Sequence, residues 1–177
     1  MLVSVIIPYY KNQFYIKKTI NSVLKQSYQK FEIIIVNDEP GKLSKNILSF
    51  LKEKDKRIKI INNRKNIGAG RSRNKAIKYA KGTYIAFIDS DDMWKKNKLK
   101  TQINVMRKFG YNVSHTAYYI IDQKGKKLVL RKSKNLNLKN LKNSCDVGLS
   151  TVIVKKRILK KDRLFANFKT KEDYFLW

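Results

Sequence analysis

Four short runs dominated by apolar, mostly β-branched residues, at 3–8, 31–36, 57–61 and 84–88, alternate along the chain with longer stretches of helical periodicity. A strand with one wet face alternates polar and apolar side chains, whereas a strand buried on both faces reads as a near-continuous apolar run. The intervening stretches carry apolar residues at helical spacing. They are Ile16, Ile20, Val23 and Leu24 within 12–26, and Leu43, Ile47, Leu48 and Leu51 within 42–54. The same spacing places Ala69, Ala76, Ile77 and Ala80 on one face within 69–81, and Leu99, Ile103 and Met106 within 95–108. Strand and helix in strict alternation predict an α/β fold, a mostly parallel sheet with helices on both faces. A chain of 177 residues suits one such domain.

Past Gly110 the pattern changes. Residues 112–121 and 126–132 read as two strands around the turn Asp122-Gln123-Lys124-Gly125, an antiparallel hairpin. Residues 136–145 are polar and read as a loop or short helix, 151–154 as a further strand, and 172–177 as the start of a helix.

Composition narrows the classes of function. A single cysteine, Cys145, forbids an internal disulfide and reads as a small packed residue in a reducing compartment. The single histidine, His115, cannot build a histidine-rich metal site and reads as a packed strand residue. The longest apolar runs fall far short of the roughly 18 residues a membrane span requires. The first residues lack the basic and long apolar regions of a secretory signal, so a cytoplasmic location is expected. The formal charge of +28 is spread over nearly every segment. Most of these lysines are solvated surface, yet the summed field attracts polyanions. Nucleic acid, an anionic membrane leaflet and phosphate-bearing small molecules all fit it.

In open α/β sheets ligands bind beyond the carboxyl ends of the strands. Those ends read Pro8-Tyr9-Tyr10, Asn37-Asp38-Glu39, Asn62-Asn63 and Asp89-Ser90-Asp91-Asp92. Only 13 residues in the chain are acidic, so four aspartates at two of these tips point to a hard divalent cation. Such a cation takes one or two carboxylates plus substrate phosphates. Capping of a helix starting near Trp94 is the competing explanation for one aspartate, and a weaker one for three. The segment 66–74, with Gly68 and Gly70 ahead of a helix, offers backbone N–H groups to a phosphate. Arg71 and Arg73 there can pair with phosphate, pair with the acidic loops, or face water. Glu172 and Asp173 suit the first turn of a helix.

Together the stretches 3–10, 35–38, 66–68 with Arg73-Asn74, 82–92 and 172–177 resemble the family 2 glycosyltransferases of the GT-A fold, in the family's order. The resemblance implies a Rossmann-like sheet and a single glycosyltransferase domain, with residues 1–110 the nucleotide-sugar-binding half and 111–177 the acceptor-side half. It implies that Asp38 contacts the base or ribose, that Pro8 and Tyr9 line that pocket, and that Gly68, Arg73 and Asp89 also serve the donor. Asp89 and Asp91 form the D-x-D motif for Mn²⁺ or Mg²⁺, with Asp91 the direct ligand, and Asp173 matches the general base of an inverting transfer. The implied partners are a nucleoside-diphosphate sugar, UDP-sugar first, and a saccharide or lipid-linked acceptor in cell-surface polysaccharide synthesis. Peripheral contact with an anionic membrane is a further expectation, and no specific nucleic acid is expected. Lys11 stands where the family commonly has Asn, and Glu39-Pro40-Gly41 replaces its small turn. Family members usually continue past the point matching Trp177, so a chain short at its C-terminal end is expected. A non-catalytic nucleotide-sugar-binding fragment, a basic nucleic-acid-binding protein and a nucleotidyltransferase remain as alternatives.

Overall fold

The computed structural model of the chain describes residues 1–133, 147–159 and 164–166. The predicted alternation is present as β1 (Val3–Tyr9), α1 (Ile16–Leu24), β2 (Phe31–Asn37), α2 (Lys42–Lys54), β3 (Ile58–Asn62), α3 (Ala69–Tyr79), β4 (Tyr84–Phe87) and α4 (Lys98–Lys108). After α4 come β5 (Val113–Ser114), β6 (Tyr118–Ile121), β7 (Lys127–Arg131) and β8 (Ile153–Lys155). The central sheet has the order β3-β2-β1-β4-β8-β5. β1, β2, β3 and β4 run parallel, and β8 and β5 extend the sheet antiparallel. Every residue of β1 and β2 is buried, the signature of strands covered on both sides.

The pleat sorts β1 between two cores. Val3, Val5, Ile7 and Tyr9 join the cluster built with Ile16, Ile20, Leu48, Leu99, Ile103 and Met106 on the α1, α2 and α4 side. Ile6 faces the other way with Ala76, Ile77, Phe87 and Phe165, against α3.

Five local expectations are corrected. The strand predicted over 112–121 is two pieces: β5 pairs with β8 at the sheet edge, while β6 leaves to form a separate hairpin with β7. His115 lies half-buried in the link between them and not in a strand. Leu43 is 60% exposed, and Ser44 takes the inward position of α2 because its hydroxyl bonds to the carbonyls of Glu39 and Gly41. Ala69 is likewise exposed at the start of α3. The helix predicted over 95–108 begins at Lys98, because the Leu99 N–H donates to Gln26 Oε1 and the Lys95 carbonyl accepts from Gln26 Nε2. Cys145, the segment 136–145 and the segment 172–177 lie outside the described residues.

Candidate functional site

β1 has β2 on one side and β4 on the other, so the strand order reverses at β1. At such a reversal the connections leave in opposite directions and a crevice opens beyond the carboxyl ends. A cavity of about 350 Å³ lies there, and Pro8, Tyr9, Asp38, Gly68, Arg73, Asp89 and Asp91 all line it. Asp173 lies outside the described residues.

Asp38 follows the last paired residue of β2 and is 2% exposed. Its Oδ1 accepts from Asn63 Nδ2 at 2.8 Å and from the Ile67 N–H at 2.9 Å, and its Oδ2 accepts from the Gly68 N–H at 2.8 Å. The carboxylate therefore folds the loop between β3 and α3 back onto the cavity. Gly68 sits at φ +87° and ψ 159°, a conformation a β-carbon disfavours, so glycine is required for the backbone to turn into α3 there. The first turn of α3 then faces the cavity with Gly68 and Ala69.

Arg73, one turn further along α3, has a side chain only 6% exposed and donates to Asp89 Oδ1 at 2.6 Å. Of the three alternatives open in the sequence, pairing with the acidic loop is the one observed. Its guanidinium also lies 5.3 Å from the ring centroid of Phe165. Asn74 holds that segment by exchanging two hydrogen bonds with the Phe165 backbone.

The three aspartates after β4 take different surroundings. Asp89 is tied to Arg73, and its backbone N–H donates to Ser150 Oγ at 3.0 Å. Asp91 is exposed and lines the cavity. Asp92 is exposed, close to the other two carboxylates. Partial burial raises its pKa, a hydrogen bond with Ser150 opposes that, and the charges of Asp89 and Asp91 raise it further. Helix capping does not explain these residues, since α4 starts at Lys98 after Asn97. Ser90 fixes the loop: its hydroxyl accepts from Asn12 Nδ2 at 2.8 Å and its carbonyl from Thr19 Oγ1 at 2.9 Å.

Two residues escaped the sequence reading. Tyr9 reaches the cavity edge, but its ring is 0% exposed and belongs to the core below. Burial, and then the Glu39 charge, raise its phenol pKa. Tyr10 is the open ring, 45% exposed and lining the cavity. The strand's period of two carried that signal, since Tyr9 has the parity of Val3, Val5 and Ile7. Ser150 sits in a 3₁₀ turn (Leu149–Thr151) about sixty residues beyond the acidic loop, and no motif marked it.

The match to the family model described as Glycosyl transferase family 2 covers residues 4–164, which includes every described site residue. The chain belongs to glycosyl transferase family 2.

The family comprises enzymes, and this glycosyltransferase has named relatives. It is 35% identical, over 99% of its own length and 68% of the relative's, to the Escherichia coli UDP-Glc:alpha-D-GlcNAc-diphosphoundecaprenol beta-1,3-glucosyltransferase WfgD. It is 35% identical, over 99% and 70%, to the putative teichuronic acid biosynthesis glycosyltransferase TuaG of Bacillus subtilis. Its fold matches S. aureus TarS 1-349 in complex with UDP-GlcNAc with a TM-score of 0.81 and 27% identity, over 99% of this chain and 52% of that one. The chain thus spans about half the length of that structure. The mannosyltransferase PcManGT of Pyrobaculum calidifontis, in complex with GDP-Man and Mn²⁺, shares the fold with a TM-score of 0.73 at 14% identity, over 97% and 49%. The parallel sheet with its antiparallel extension is therefore the GT-A architecture.

Proposed function

We propose that this glycosyltransferase moves a sugar from a nucleoside-diphosphate sugar, a UDP-sugar in particular, to a hydroxyl of a saccharide or lipid-linked saccharide, as part of cell-surface polysaccharide synthesis. The observation that carries the reading is the cavity at the strand-order reversal, lined by both the exposed Asp91 and a glycine-led helix start. The UDP-Glc donor and diphosphoundecaprenol acceptor of WfgD and the UDP-GlcNAc bound by TarS support the finer assignment.

In this reading Tyr10 offers a ring face to the base, Pro8 and Asp38 wall the nucleotide pocket, and the α3 N-terminus at Gly68 receives the diphosphate. Arg73 fixes the orientation of Asp89 and adds positive potential beside it. The acidic loop fits a divalent ion. Asp89 has one oxygen engaged by Arg73 and a side chain 40% exposed, and Asp91 is open. Among the described residues no three His, Cys, Asp or Glu side chains form a metal cage. That donor set matches Mn²⁺ or Mg²⁺ held by one or two carboxylates together with substrate phosphate. When bound, the ion supplies positive charge to the departing diphosphate. Asp173, assigned by resemblance alone, takes the proton from the acceptor hydroxyl as it attacks, and a single displacement inverts the anomeric carbon. A cytoplasmic location with peripheral contact to an anionic leaflet agrees with the positive charge. Among the described residues no helix is long and apolar enough to cross a membrane.

Thermal shifts with UDP, GDP, CDP and ADP, each with and without Mn²⁺ or Mg²⁺, test the reading on wild type and Asp91→Ala. UDP is expected to raise the melting temperature only with metal, and Asp91→Ala to remove the shift without lowering the unliganded Tm. No shift by any nucleotide, alongside a clear shift with RNA, overturns it.

A further inference from the structure

At the opposite end of the strands, where β1 and β4 begin, a larger cavity of about 850 Å³ opens beside Met1, Gly82 and Tyr84. Lys81, Arg107, Lys155, Lys156 and Arg157 line it. Topology gathers these five cations from distant parts of the chain. Lys81 precedes β4, Arg107 lies in the last turn of α4, and the antiparallel pairing of β8 lays Lys155 beside Tyr84, the first residue of β4.

Like charges at a surface ordinarily spread into water or take a carboxylate partner. Among the described residues no carboxylate lines this cavity. The ion pairs of the described residues involve Arg57, Lys59 and Arg73, none of the five. Glu32, the carboxylate beneath this edge, is committed to Lys59 Nζ, Ser4 Oγ and the Lys81 backbone N–H. Three of the cations are instead held by neutral acceptors. Lys155 Nζ donates to the Gly110 carbonyl at 2.9 Å, Lys156 Nζ to the Ala80 carbonyl, and Arg157 to Asn112 Oδ1 at 3.1 Å. A carbonyl or amide oxygen orients a cation without cancelling its charge, so the groove keeps a preformed positive field.

We propose that this groove is a second anion site, taking a ligand with two or more phosphate groups. Five cationic side chains around one cavity exceed what a single phosphate can engage. The seven residues of β1 place the groove roughly 20 Å from the donor cavity, so both can be filled at once. A soluble oligophosphate and the headgroup phosphates of anionic lipid share this chemistry.

Calorimetric titration with inorganic tripolyphosphate in EDTA tests the site, because the chelator prevents metal-mediated binding in the donor cavity. The K155Q/R157Q variant is expected to weaken binding at least about tenfold. The K45Q/K52Q variant removes the same charge from exposed positions on α2 and is expected to change binding by no more than about twofold. D91A is expected to bind like wild type. Co-sedimentation with phosphatidylglycerol vesicles, against phosphatidylcholine, identifies the source. Vesicle binding lost in K155Q/R157Q assigns lipid headgroups, and tripolyphosphate binding without it assigns a soluble ligand. Equal weakening in the two double variants overturns the proposal, as does absence of binding to both phosphate probes. RNA binding that depends on Lys155 and Arg157, without binding of either probe, assigns the groove to nucleic acid and also overturns it.

Discussion

Asp38→Asn separates a loop-holding carboxylate from a ligand-reading one. The native carboxylate accepts three donors, two on Oδ1 and one on Oδ2, while almost fully buried. The amide fits the same space but has one acceptor. Its best orientation keeps oxygen toward Asn63 and Ile67 and turns NH₂ against the Gly68 N–H. Losing the charge on two retained bonds costs about 0.5–1 kcal/mol each, and the opposed N–H groups about 1–3 kcal/mol. The expected destabilisation is about 2–5 kcal/mol, a urea midpoint lower by about 1–2.5 M for an m-value of about 2 kcal/mol/M. Nucleotide affinity should fall with it, because the same loop carries Gly68 to the cavity. A midpoint within about 0.3 M of wild type would refute the reasoning. Loss of nucleotide binding in that case would mean that Asp38 serves the base directly and the loop closes without it.

Gly82→Ala places a β-carbon 2.6 Å from the Ser4 backbone nitrogen and 2.8 Å from the Tyr84 carbonyl oxygen, where β1 and β4 begin. About 3 kcal/mol of stability should be lost, read as a lower Tm with the same far-ultraviolet spectrum. Lys11 is the one non-glycine residue with positive φ, at 53°, among those described. Lys11→Asn should raise stability by about 0.5 kcal/mol in urea unfolding, since Asn tolerates that region better. At Glu32 burial alone raises the pKa, but hydrogen bonds from Lys59, Ser4 and the Lys81 N–H outweigh it and hold the carboxyl below its ordinary value. A depressed carboxyl contributes stability above its unfolded pKa and loses it as pH falls through the folded one. Wild type should therefore destabilise more steeply than Glu32→Gln from about pH 5 downward, measured by urea midpoints.

The parallel half of the fold was legible because double-sided burial leaves an unmistakable record in β1, β2 and β4. Helix α2 was placed correctly with Ile47, Leu48 and Leu51 inward, and only Leu43 was misplaced, since a serine that satisfies itself on nearby carbonyls can replace a leucine inside. Pocket walls made by local motifs, such as Asp89-Ser90-Asp91 and Gly68, were visible. The partners that fix them were not: Asn12 and Thr19 on Ser90, and Ser150 on Asp89, are hydrogen bonds across 61 to 78 positions and leave no periodic trace. The split of 112–121 was hidden for a related reason. A strand that changes sheets keeps one apolar pattern while its partners change.

The insertion of β8 beside β4 bears on when the site comes into being. As the chain leaves the ribosome, the β1–β4 sheet can form while β4 is still an open edge. At that stage Ser150 is not yet made, so the Asp89 N–H lacks the hydroxyl and the Trp94 indole N–H lacks the carbonyl that they donate to in the finished fold. Only after β8 has been made and paired with β4 does the acidic loop acquire both contacts. A nascent chain thus holds its acidic loop through Asn12, Thr19 and Arg73 alone, and the last two anchors arrive together with closure of the sheet.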